Sequence, residues 1–107
     1  MKGAYLPPKK ASWPEGELSY TRTLRKPKPG QRPRDFWVVE ATGDWEADNK
    51  IGEELARECL KAMRETQNPH GISDTVSGMI EHGRHGGIEV GFLFAIGWWL
   101  MKGTGPR

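Results

Sequence analysis

Residues 88 to 101 read Ile-Glu-Val-Gly-Phe-Leu-Phe-Ala-Ile-Gly-Trp-Trp-Leu-Met. A run of 14 residues is too long for an ordinary strand of about five or six. The stretch is therefore expected as a helix, apolar almost all the way round. Such a helix has to be covered on most of its sides. Gly87, Gly91 and Ala95 recur at every fourth position and make a smooth stripe along which another helix can approach closely. The rest of the chain is read by asking what covers this helix.

Upstream, Trp45 to Gln67 reads as a long amphipathic helix. Asp44 is the expected N-cap, with Glu46 and Asp48 in the first turn, where the positive end of the helix dipole favours acids. Ala47, Ile51, Leu55, Cys59 and Ala62 recur at helical spacing, widened by Ala56, Leu60 and Met63. Glu53 and Arg57 stand in the favourable order four residues apart. The turn Asn68-Pro69-His70-Gly71 ends it. A short helix is expected over residues 74–82, capped by Ser73, with Val76, Met79 and Ile80 inward and Gly83 as its stop.

Two strands are expected before the helices. Leu18, Tyr20 and Leu24 alternate with Ser19, Thr21 and Thr23, and Phe36 to Ala41 is aromatic and β-branched. Paired antiparallel, they would carry residues 26–35 as a basic hairpin loop. Residues 1–16 read as an extended Pro/Lys-rich arm, because six of the eight prolines fall within residues 1–34. The expected fold is α+β: a two-stranded antiparallel ribbon packed on three helices (about 45–67, 74–82 and 88–101), the last of them central. The domain would span residues 17–107, and a core of about 70 residues supplies only a few kcal/mol of net stability.

The net charge of +2 hides an asymmetry. Residues 1–34 carry nine Lys/Arg against Glu15 and Glu17, while residues 35–107 carry seven basic and twelve acidic side chains. That division points the basic part toward an acidic partner. Lys9, Lys10, Arg22, Arg25, Lys26, Lys28, Arg32 and Arg34 are the candidate contacts, interleaved with Tyr5, Trp13 and Tyr20 as stacking surfaces for nucleic acid. Trp98 and Trp99 are the candidate protein interface.

Catalytic and metal readings are weaker. His70, His82, His85 and Cys59 lack the two close pairs of N/S ligands that a structural zinc site uses. Cys59 falls on the apolar face of a helix, where a lone cysteine is a small core residue. Arg84-His85-Gly86-Gly87 before a helix could cradle an anion, yet Glu89 in the first turn would repel it. Neither downstream helix offers the row of polar side chains that reads bases. No catalytic residue, cofactor or metal is expected, and the chain does not read as an enzyme. A single cysteine and a proline- and lysine-rich start give no sign of a disulfide scaffold or secretory signal, which makes a cytoplasmic location the expectation.

The function expected is that of a small non-catalytic binding protein. It would dock on a larger protein or nucleoprotein assembly, with its basic arm and loop on an acidic or nucleic-acid surface. Two alternatives stand beside it. One is a phage- or plasmid-type stoichiometric inhibitor of host machinery (anti-defence or anti-CRISPR-like), since Asp35 to Glu65 holds nine acidic against four basic residues. The other is a peripheral membrane-complex subunit anchored by the last helix. The uncharged stretch Val90 to Met101 covers only about 18 Å against a hydrocarbon core of about 30 Å, so spanning is not expected. Two copies of the chain could also pair through that helix.

Overall fold

The computed structural model describes residues 18–24, 26, 28–30 and 33–103. The arm over residues 1–16 lies outside them. Among the described residues the order is β1 (Arg22–Thr23), β2 (Arg34–Asp35), α1 (Trp45–Thr66), α2 (Gly71–Glu81) and α3 (Gly87–Lys102). The α+β class holds: a two-stranded antiparallel ribbon accompanies three helices packed together.

α1 starts where the sequence indicates, but its expected cap works differently. Asp44 is extended and makes no side-chain cap bond. Instead the buried Asp48, one turn in, reaches back and accepts from the Thr42 N–H (2.9 Å), the Thr42 hydroxyl (2.8 Å) and the Gly43 N–H (3.4 Å). These donors hold the Asp48 carboxyl below its usual range, outweighing the upward push of burial. The buried stripe of α1 runs through Asp48, Gly52, Ala56, Cys59 and Ala62, so Ile51 and Leu55 sit at its edges. Small side chains along this stripe let neighbouring elements come near.

α2 begins three residues before the expected start. Gln67 turns into the left-handed region, and the Asn68 N–H donates to the Met63 carbonyl at 3.1 Å. The buried Asn68 side chain then accepts the His70 N–H at 2.9 Å. This Asx turn folds the chain at once into the next helix. Ser73 lies within the first turn and donates to the His70 carbonyl rather than capping. The helix stops at Gly83, which takes the left-handed φ of +64° while the Arg84 N–H reaches back to Met79.

The ribbon is shorter than expected and displaced. Arg22 pairs with Asp35 and Thr23 with Arg34, whereas Phe36 to Ala41 forms no ladder. The reason is visible at Phe36 and Trp37, which are consecutive and both buried. A flat strand sends successive side chains to opposite faces, so the backbone bends at Phe36 to put both rings inside. One bond, from the Val38 N–H to the Tyr20 carbonyl at 2.7 Å, ties this segment to Leu18–Tyr20. Tyr20, Trp37 and Phe92 meet edge to face at the core, with ring centroids 5.3 to 6.3 Å apart. The Tyr20 hydroxyl donates to Thr75, which itself donates to the Gly71 carbonyl.

α3 departs from the expectation of a central helix. α1 is the element packed most extensively against the other helices, and α3 lies against it in the same direction, Gly87 beside Trp45 and Asp48, Gly91 beside Asn49, Trp99 beneath Arg57. Ile88, Gly91, Phe92, Ala95 and Ile96 are buried there. The opposite side of α3 is left exposed by the described residues.

Candidate protein-interaction face

α3 is held rigidly before it presents anything. Glu89, 3% exposed, accepts the Gly86 N–H at 2.7 Å and the Trp37 indole N–H at 2.6 Å, and lies 3.2 Å from the Arg84 guanidinium. Arg84 also donates to the Val39 carbonyl at 2.9 Å. Burial pushes the Glu89 carboxyl upward, but the donors from Trp37 and Gly86 and the Arg84 charge outweigh it, and the net shift is downward. Glu89 thus fills the place that an anion would take at this helix start. The Arg84-His85-Gly86-Gly87 turn is a structural joint.

Beyond that joint the outward side of α3 carries Val90, Leu93, Phe94, Trp98, Leu100 and Met101, all exposed. Phe94 is 69% exposed, Leu100 78% and Met101 70%. Phe94 and Trp98 stack one turn apart, centroids 6.4 Å, and the Lys102 ammonium lies 5.0 Å from the centre of the Trp98 ring. A groove of about 580 Å³ runs between this surface and α1, with Trp45, Lys50 and Glu53 on its far wall. Isolated exposed apolar side chains are ordinary, whereas a set of them on one helix side makes that side the candidate contact surface.

The two candidate tryptophans separate. Trp98 stands on the open face, while Trp99, the next residue, turns toward α1, packs against the core and lies under Arg57 at 5.6 Å. Consecutive helical residues point about 100° apart, which periodicity alone does not assign to a face when the helix is apolar all round. Trp45 and Phe94 also belong to the groove, and their apolar character was their only signal in the sequence.

The chain matches no family model, no curated protein and no solved structure. The residues themselves carry the functional reading.

Of the basic candidates, Lys9, Lys10, Arg25 and Arg32 lie outside the described residues. Arg22, Lys26 and Lys28 are exposed along the ribbon and its loop, and Arg34 is half-buried. Arg22 lies 4.0 Å from Asp35, whose carboxylate also meets the His82 ring at 2.9 Å and accepts the Trp37 N–H at 3.1 Å. Burial pushes the Asp35 carboxyl up, and the His82 and Trp37 bonds together with Arg22 bring it below its usual range. Cys59 is buried and its thiol is pushed up by that burial. Among the described residues no cluster of three or more His, Cys, Asp or Glu could hold a metal ion, and no helix is long and apolar enough to cross a membrane.

Proposed function

We propose that this protein is a non-catalytic binding protein that docks through the outward face of α3 and offers its basic ribbon to an acidic surface, protein or nucleic acid. One observation carries the reading. Val90, Leu93, Phe94, Trp98, Leu100 and Met101 form an uncharged exposed surface on a helix whose other side is fixed by packing and by the Glu89 bonds. Keeping so many apolar side chains in water costs solubility and brings the monomer no burial. The exposed Arg22, Lys26 and Lys28 support the second contact.

The pair Phe94→Ser and Trp98→Ser tests the docking face. Neither ring is in the core, so at a dilution where both proteins are free chains the double variant is expected to melt within about 4–8 °C of the wild type, the shift that about 1 kcal/mol produces in a small domain. In gel filtration of a native extract it is expected to move from a larger complex to the free chain. A much earlier melt would place the rings in the core, and an unchanged elution would show that the face makes no contact; either result removes the reading.

A further inference from the structure

The open face of α3 is complementary to itself, and we propose that a second copy of the chain covers it, the two α3 helices packing antiparallel about a two-fold axis near Gly97. This rests on the reading of that face as a contact surface and names its occupant.

Glycine in a helix interior is unfavourable unless something requires it. At Gly52, Gly78, Gly87 and Gly91 the requirement is visible. A Cβ at Gly78 would lie 2.9 Å from the Phe36 backbone and one at Gly87 2.7 Å from Asp48, while at Gly52 and Gly91 it would run into the backbone of Ile88 and Asn49. Each of these glycines marks a place where another element comes close. Gly97 is the exception. A Cβ there would meet nothing within 4 Å, although Gly97 sits in mid-helix between Phe94 and Trp98 on the open face. A second backbone crossing at Gly97 supplies the missing reason, as Asn49 does at Gly91.

The spacing agrees. Val90, Leu93, Phe94, Gly97, Trp98 and Met101 recur at three- and four-residue steps, the seam along which two helices pack. With the axis at Gly97, Leu93 faces Met101 of the second copy and Phe94 faces its Leu100, so both halves of the seam are filled in a closed, isologous contact.

Charge selects the direction. Because α1 and α3 run the same way, the face has distinct ends. Beside this face Glu46 and Glu53 outnumber Lys50 toward one end, and toward the other stand Lys102, over the Trp98 ring, and Arg57, over Trp99 and bonded within the chain to Glu53 at 2.9 Å. Asp48 and Glu89 are buried and engaged within the monomer. An antiparallel pair sets the acidic end of each copy against the basic end of the other, whereas a parallel pair sets like against like.

Sedimentation equilibrium of the full chain over the micromolar range tests this. The expected mass is twice 12.0 kDa, with dissociation on dilution. Gly97→Leu should keep the native circular dichroism, since its side chain meets open space within one copy, yet raise the dissociation constant by about tenfold or more by overpacking the crossing. Lys102→Glu should weaken pairing, and Glu46→Lys added to it should recover part of the loss. A wild type that stays monomeric throughout, or a Gly97→Leu chain that pairs as tightly as wild type, overturns the proposal. For a monomeric wild type, the thiol introduced by Phe94→Cys separates the two readings. Fast reaction with a disulfide reagent means the face is open to a different protein or a membrane surface, and only the dimer falls. Slow reaction means the chain covers its own face, and the contact-surface reading falls with it.

Discussion

Gly91 and Gly97 lie on one helix, less than two turns apart, and meet opposite surroundings. Gly91 is pressed against the Asn49 backbone of α1, and Gly97 has no neighbour within 4 Å of a Cβ position among the described residues. The same split runs the length of α3: Ile88, Phe92 and Ala95 are buried, and Leu93, Phe94 and Leu100 are not. Hydrophobicity does not distinguish the two sides, because both are apolar. What separates them is the partner each side has: α1 covers one, and nothing in the monomer covers the other among the described residues. One side of α3 therefore belongs to stability, and the other is the side we propose for recognition.

The largest expected effect breaks the covered side. Gly91→Leu would drive a branched side chain into the Asn49 backbone, which cannot move without dislodging α1. The expected loss is at or above about 3 kcal/mol, the upper end of ordinary overpacking, read as a drop in the urea midpoint. A loss below about 0.5 kcal/mol, the range of an exposed change such as Lys50→Ala, would mean that α3 does not pack here.

Much of this arrangement was legible in the sequence, and the misses have physical causes. The limits of α1 and the start of α3 were readable because each periodic or apolar run is bounded by residues that cannot continue it, Asn68-Pro69 after one and the Arg84-His85-Gly86-Gly87 turn before the other. The close approach at Gly91 followed from its small-residue stripe. The start of α2 was not readable, because it depends on the Asn68 side chain accepting a neighbouring N–H, and Ser73 carries an equally good capping signal. Phe36–Ala41 looked like a strand by composition, yet burying Phe36 and Trp37 together requires a bend. The central placement of α3 failed for a similar reason: an apolar helix announces that it needs cover without saying whether its own chain provides it. Trp98 and Trp99 were both visible as interface candidates, but only the tertiary fold assigns one outward and the other toward α1.

A second expected effect concerns the joint that fixes α3. Glu89→Ala would leave the Trp37 indole N–H without its acceptor and Arg84 without its carboxylate. Removing one partner of a buried charged pair costs on the order of 3–5 kcal/mol. We place this site at the lower end, because Arg84 retains the Val39 carbonyl and some access to water. The same groups set an acid limit. Asp35, Asp48 and Glu89 all have folded pKa values below their unfolded ones. Just below about pH 4, where free carboxyls take up protons, the unfolded chain binds more protons than the folded one, so stability falls with pH. The contribution is fully present above the unfolded values and is lost as pH drops through the folded ones. Urea midpoints should be level from neutral pH down to about pH 5 and decline below about pH 4. With Glu89→Gln the decline should be shallower. An identical slope would remove Glu89 from the account.

The smallest expected effect lies on the open side. In protein dilute enough to be monomeric, Gly97→Ala should raise stability by about 0.5–1 kcal/mol, through helix propensity alone. A loss there would indicate an intrachain neighbour that the fold does not provide.

The contrast between the two sides of α3 is tested most directly by thiol reactivity in dilute, monomeric protein. Cys59 is the only native cysteine and is fully buried, so it should react with a disulfide reagent only as fast as the protein unfolds. Leu93→Cys places a second thiol on the outward side. The expected result is one thiol that reacts at nearly the rate of a free cysteine and one that waits for denaturant. If the thiol introduced at residue 93 reacts as slowly as Cys59, α3 has no open face and the account is contradicted.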